Sequence, residues 1–313
     1  MKRSISRNIP FVMGCALLLA LTGCDQGADL GLRADPGTGR RLVITENHTI
    51  SLDIFGMKLE AQQNSDSTIR YTVNSVDREG RYVMSGSYEA LREDTSGHIV
   101  GTDILAEMME ELKAFEPDYD AAIGQTFTFE LHSDGNVRNM RGNTDIIRAM
   151  VADIDGIRAR TLIEMRQSLD DAMGDEAMAR RTEMYLLCNP GKRVKEGATW
   201  ARHLHNIADL PISATITYTL RERNQGIAHV DYTYHISGRL RDTGLFFPVG
   251  HGYEMNVNGR GSGKLEVEEH TGWVRTGHEN VTITMDAQIS AEGLSLTLPI
   301  GLESRMRFHS DPV

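Results

Sequence analysis

The sequence carries none of the familiar catalytic signatures. It has no G-x-S-x-G elbow, no C-x-x-C and no H-E-x-x-H, so the serine-hydrolase, thiol-redox and zincin templates give no starting point. Cysteine is scarce: Cys15, Cys24 and Cys188 in 313 residues. Positive charge is also short. Lys and Arg number 33 against 44 Asp and Glu, a formal net charge of −11. Such a chain repels phosphate backbones, so nucleic acid is not an expected partner. The apolar run from Phe11 to Leu21 falls short of the ~20 residues a bilayer-spanning helix needs.

What is there begins at that run. Lys2, Arg3 and Arg7 precede it, and the small-residue stretch Thr22-Gly23 leads to Cys24. This is the three-part layout of an export signal. Cys24 alone has four readings: half of a disulfide, a metal ligand, a buried thiol or a lipid attachment point. Leu21-Thr22-Gly23-Cys24 resembles the lipobox of bacterial lipoprotein precursors. The resemblance implies cleavage before Cys24, diacylglycerol on its sulfur and acylation of the new N-terminus. Two or more acyl chains hold a protein firmly where one is marginal. Asp25 follows directly. In enterobacterial lipoproteins that residue resembles a retention signal, which favours the periplasmic face of the inner membrane and leaves the outer membrane open. Cleavage would remove three positive charges and Cys15, leaving Cys188 without an intramolecular disulfide partner. Stability must then come from a buried core.

Residues 24–40, "CDQGADLGLRADPGTGR", are glycine-rich and poor in apolar residues, and read as a tether. Beyond them, period-two alternation marks strands. "TIRYTV" (68–73) and "RYVMSGSYEA" (81–90) flank Asp77-Arg78-Glu79-Gly80. Matching their apolar faces sets Val73 against Met84 and Ile69 against Tyr88. In "QTFTFELHSDGNVRNM" (125–140) a three-residue loop sets Leu131 against Val137. "SATITYTL" (213–220) and "IAHVDYTYHI" (227–236) pair even-numbered residues with even, which predicts an odd-length loop around Asn224-Gln225-Gly226, with a bulge. Further strands are read in 263–269, 280–289 and 294–309.

Helical spacing appears in 102–115, starting at Thr102, and across 143–187, starting at Asn143 or Thr144 and punctuated by Gly156 and Gly174. The expected fold class is α+β: curved antiparallel β-sheets, arranged as two half-barrel-like halves, packed on a few amphipathic helices. The expected division is a signal peptide (1–23), a flexible tether (24–40), a first β-rich half carrying helix 102–115 (41–142), a helical connector (143–198) and a second β-rich half (199–313).

Candidates for chemistry are few. "NGRGSGKLE" (258–266) lacks phosphate-loop spacing, with Leu265 after the lysine, and reads as a flexible loop or hairpin turn. His203 and His205 point the same way on a strand, ~7 Å apart, and could chelate zinc or copper with a third ligand. His229 and His235 share the polar face of another strand. The plainer reading is two solvated strand faces with ordinary histidines, so no metal, cofactor or catalytic residue is expected.

Four stretches, "YTVNSVDREG", "GQTFTFELHSDGNVRNMRG", "VKEGATW" and "GSGKLEVEEHTGWV", resemble a family of uncharacterised bacterial lipoproteins classed as a domain of unknown function. The chain departs at Glu269-His270, where Asp is common before the Thr-Gly turn. The family brings no activity to transfer. At fold level the pattern is similar to periplasmic lipoprotein carriers with an apolar cavity. The expectation is a membrane-anchored cell-envelope lipoprotein facing the periplasm, non-catalytic, binding an apolar ligand or an envelope protein. The alternatives are a metal-dependent periplasmic hydrolase using the His203/His205 strand, and a structural envelope component.

Overall fold

The computed structural model describes residues 27–54, 57–99, 117–152, 170, 174–186, 189–204, 212–241, 252–291 and 294–313. Cys24, Asp25, Cys188, His205 and the helix expected over 102–115 lie outside them.

The described strands are β1 (Gly39–Ile54), β2 (Met57–Val76), β3 (Tyr82–Ile99), β4 (Thr126–Leu131), β5 (Val137–Arg141), β6 (Thr199–Leu204), β7 (Ile212–Asn224), β8 (Ile227–Arg241), β9 (Gly252–Glu268), β10 (Val274–Ala291) and β11 (Leu294–Pro312). Together they form one eleven-stranded antiparallel sheet in the order β5-β4-β3-β2-β1-β11-β10-β9-β8-β7-β6. The chain enters at the centre, meanders out to β5, and re-enters at β6. It then meanders back until β11 pairs with β1 from Arg40↔Pro312 to Leu52↔Ile300. Two α-helices are described, α1 (Asn143–Met150) and α2 (Asp175–Leu186).

This corrects the expected α+β class. The two β-rich stretches are arms of a single sheet, joined by the β1–β11 pairing, and are not separate halves packed on helices. The reason is strand length. Strands of 16 to 20 residues run ~50–65 Å at the usual rise, so the sheet supplies most of its own apolar face. The helices cover only part of it.

The hairpin registers follow from face matching. Val73 pairs with Met84, Ile69 with Tyr88 and Leu131 with Val137. In the β7–β8 hairpin, Ile216 meets Tyr234 and Tyr218 meets Tyr232, even with even. The loop, however, is the two-residue turn Gln225-Gly226, both at positive φ (50° and 80°), as type I′ requires. An odd loop was expected. The expected bulge is present, between Leu220 and Glu222, and it alone supplies the parity.

"NGRGSGKLE" is not a loop. It lies within β9, flanked by β8 and β10. Gly261 and Gly263 face the helices and let neighbouring rings lie across the strand. A Cβ on Gly263 would come 2.4 Å from the Tyr232 ring, and one on Gly261 2.5 Å from that of Tyr234. Gly263→Ala should therefore cost about 1–3 kcal/mol by overpacking, read as a fall in melting temperature.

The helices cap each other. Asp175 Oδ1 accepts from the backbone N–H groups of Asn143 (2.8 Å) and Thr144 (3.1 Å), while Thr144 Oγ1 accepts from Asp175 N–H (3.1 Å). Each thereby satisfies N-terminal donors of the other. Beneath them a core of Tyr71, Phe127, Phe129, Met84 and Ile69 is fully buried, with edge-on contacts from Tyr71 to both phenylalanines.

From Gly27 on, the segment expected as a tether is docked. Ala28 and Val194 exchange two backbone hydrogen bonds (2.7 and 2.9 Å), and Arg33 N–H donates to Thr271 O (2.7 Å). Leu30 is fully buried. Gly272, at φ 75°, is required here, because a Cβ would meet Gly31 O at 2.1 Å. The buried Arg40 pairs with Glu268 and lies over the Trp273 ring. The stretches "VKEGATW" and "EEHTGWV" thus converge on residues 27–33.

Candidate functional site: a polar belt and an apolar field on the inner face

The face that receives the helices is banded across its strands. Next to the helices runs an apolar row: Val230, Leu265, Gly277, Phe308 and Ile44, in register from β8 to β1. The next row is Tyr232, Gly263, Glu279, Met306, Glu46 and Ser65, and the one after it Tyr234, Gly261, Val281, Ser304, His48 and Gln63. These two form a polar belt. Beyond it the face turns apolar again. One row is Ile236, Gly259, Ile283, Leu302 and Ile50; the next is Val257, Met285, Ile300 and Leu52. A row of Leu240, Met255, Ala287 and Leu298 completes this second field and is buried.

The belt holds two carboxylates in opposite environments. Glu279 is 8% exposed and accepts from the phenol of Tyr232 (3.0 Å) and from that of Tyr234. Both tyrosines reach it from β8 across the glycines of β9. Burial pushes its pKa up to about 7; the Tyr232 hydrogen bond opposes this and the charge of Glu46 adds to it. Among the described residues no cation forms an ion pair with Glu279. The void beside it holds about 10 Å³, room for a single water.

Glu46 is the reverse case. Burial raises its pKa, but the His48 imidazole, the Arg181 charge and the Tyr185 hydroxyl (2.9 Å from Oε1) outweigh it and hold the carboxyl down at about 2. Arg181 keeps contact with solvent while standing among Tyr185, Glu46, Tyr88 and Glu93. Their field raises its pKa against the opposing effect of desolvation. Burial carries the pKa values of Tyr185 and Tyr232 far above that of an ordinary phenol.

Past the belt, exposure returns. Ile50 is 41% exposed, and Leu52, Ile283, Met285, Ile300 and Leu302 are all only partly buried. Contiguous apolar area left open to water is the usual mark of a contact surface.

Of the histidines singled out from sequence, the described ones, His203, His229 and His235, do not assemble. His203 on β6 and His235 on β8 both pair with Thr215 of the intervening β7. They therefore sit two strands apart, and His203 Nδ1 is 3.1 Å from Thr215 Oγ1. His229 lies opposite Glu266, further along β8. Among the described residues no group of three or more His, Cys, Asp or Glu could hold a metal.

Glu46 and Glu279 were not singled out from sequence, although a signal exists. Leu42, Ile44, Glu46, His48, Ile50 and Leu52 alternate on one face, so a charged pair interrupts an otherwise apolar row.

The architecture is that of a sheet protein whose helices shield one end of a banded inner face. A family model described as a family of unknown function, DUF6263, matches residues 79–274, and the chain belongs to that family. The match spans three of the four stretches that carried the resemblance and ends on Val274 of "HTGWV". No curated protein matches the sequence. Among solved structures, one titled for lipid–protein interactions in lipovitellin aligns with 9% identity and a TM-score of 0.44, over 89% of this chain and 25% of that one. Pseudomonas aeruginosa OccK7 (OpdD) aligns with 7% identity and a TM-score of 0.20, over 88% of this chain and 100% of that one. This chain thus spans a quarter of the lipovitellin chain.

Proposed function

We propose that the protein is a non-catalytic cell-envelope lipoprotein, anchored through acylated Cys24 and facing the periplasm, whose inner face binds an apolar ligand. The export leader and the Leu21–Cys24 pattern support the anchor, and Asp25 favours the inner membrane. The observation that carries the ligand reading is the second apolar field: aliphatic rows running from β8 to β1 in register, with Ile50 left 41% exposed. A polar belt bounds the field. A ligand with an aliphatic tail and a polar end fits this order, the tail on the Ile283–Leu302–Ile50 row and the polar end towards His48 and solvent-facing Arg181.

The test is a fluorescent fatty-acid probe titrated into the purified mature protein, beside mass spectrometry of co-purifying lipids. The protein should bind the probe, and Leu302→Glu, which sets a charge in the field, should weaken binding by at least ~10-fold. Probe binding that is absent, or unchanged in a Leu302→Glu protein of normal melting temperature, removes the ligand reading.

A further inference from the structure

We infer that the protein stands on the membrane on the end of the sheet that holds Gly27, Val194 and His270, through the basic turn Lys192-Arg193-Val194-Lys195, and that its partner surface there is an anionic phospholipid bilayer. This rests on the reading of Cys24 as the lipid anchor. Three covalent steps separate Cys24 from Gly27, at most ~11 Å of chain however those residues run. From Ala28 the chain is fixed to Val194 by two backbone hydrogen bonds. The acylated sulfur is therefore confined to this end of the sheet, and the residues flanking Val194 are brought beside it.

Those residues are cationic. Lys192, Arg193 and Lys195 are all exposed, and they include two of the six lysines of a chain whose net charge is −11. Arg33 and His270 line the cleft of about 360 Å³ at Gly27 with Arg193. Two of the neighbouring carboxylates are paired with arginines, Asp29 with Arg33 (2.7 Å) and Glu269 with Arg223 (2.7 Å), while the exposed Glu196 accepts from the backbone N–H of Arg223 (2.7 Å). The overall acidity repels an anionic surface, yet the turn tied closest to the anchor carries three exposed cations within four residues, and juxtamembrane cations are drawn to anionic headgroups over about a Debye length.

One consequence follows for the ligand field. Ile50 lies eleven residues along β1 from Gly39, roughly 35 Å from the turn-bearing end. The field is thus held away from the anchored end of the sheet.

The test is hydrogen–deuterium exchange of the full mature lipoprotein, in phosphatidylcholine vesicles with and without phosphatidylglycerol, against the same protein in detergent micelles. Segments 189–198 and 269–272 should exchange several-fold more slowly on vesicles, most of all with phosphatidylglycerol. Lys192→Glu/Arg193→Glu/Lys195→Glu, confined to an exposed turn, should abolish the phosphatidylglycerol-dependent part. Slowed exchange at the opposite end, around 294–298, or at neither end, overturns the inference while the anchor stands. An N-terminal peptide mass without acyl chains, or protein that does not stay with vesicles, overturns the anchor reading itself.

Discussion

Glu183→Ala should cost about 3–5 kcal/mol of stability, the penalty for breaking a buried charge pair from one side. It should be visible as a fall in both melting temperature and urea midpoint. Glu183, on α2, is fully buried and fastens the two edges of the sheet to each other. Its Oε1 accepts from the backbone N–H of Val137 on the β5 edge (2.8 Å). Its Oε2 faces the Arg202 guanidinium of the β6 edge at 2.9 Å, an ion pair outside hydrogen-bond geometry. Arg202 also donates to Gly135 O and to Asn136 Oδ1 (3.0 Å each) in the β4–β5 turn. Removing the carboxylate orphans a buried N–H and leaves a largely buried guanidinium with carbonyl partners only. Burial raises the pKa of Glu183, and the charges of Arg202 and Arg180 and the Val137 hydrogen bond oppose that rise. Glu183→Gln keeps an acceptor for Val137 N–H but no charge for Arg202, so it should lose less than Glu183→Ala. Equal losses in the two variants would show that the Val137 bond contributes nothing.

That clasp was illegible in the sequence, and the reason is physical. Period-two alternation reports which residues share a face of one strand, and hairpin turns extend that to a neighbour. Val73↔Met84, Ile69↔Tyr88 and Leu131↔Val137 were therefore readable. The pairing of β1 with β11, which turns two β-rich stretches into one sheet, joins residues such as Leu42 and Ser310 with no local signal between them. Glu183 offers nothing in its own segment to mark it, because its partners come from β5 and β6. The glycines of β9 misled for a related reason. Glycine in sequence suggests a turn, but Gly261 and Gly263 are there because Tyr232 and Tyr234 must cross β9 to reach Glu279 on β10. That requirement exists only once three strands are side by side. The belt was half legible, since Glu46 and His48 interrupt an apolar alternation; what they meet on α2 was not.

Glu279 should give the protein a stability that falls as pH rises from about 5 to about 7. Its folded pKa of about 7 lies above the ordinary carboxyl value near 4.5, so between those values the folded state binds the extra proton. Stability is then fully present below the unfolded pKa and lost as pH rises through the folded one. A shift of this size corresponds to about 3 kcal/mol at 1.36 kcal/mol per unit. Glu46 adds no slope in that window. Its pKa is held at about 2, so its contribution is present above the unfolded value and is lost only as pH falls from about 4.5 towards 2. Stability should therefore peak near pH 5, with Glu46 shaping the acid limb and Glu279 the other. Glu279→Gln, which keeps an acceptor for the Tyr232 hydroxyl but cannot ionise, should flatten the limb between pH 5 and 7 and raise stability at pH 8 relative to the parent. Glu46→Gln should remove the charge that helps keep Glu279 protonated, moving the midpoint of that limb to lower pH. Urea titrations at intervals across pH 3–9 on the three proteins measure each of these. A parent protein whose stability rises between pH 5 and 7, or a Glu279→Gln protein with the parent's slope, would show that the carboxylate is ionised where it sits, with its charge met by a partner on the inner face.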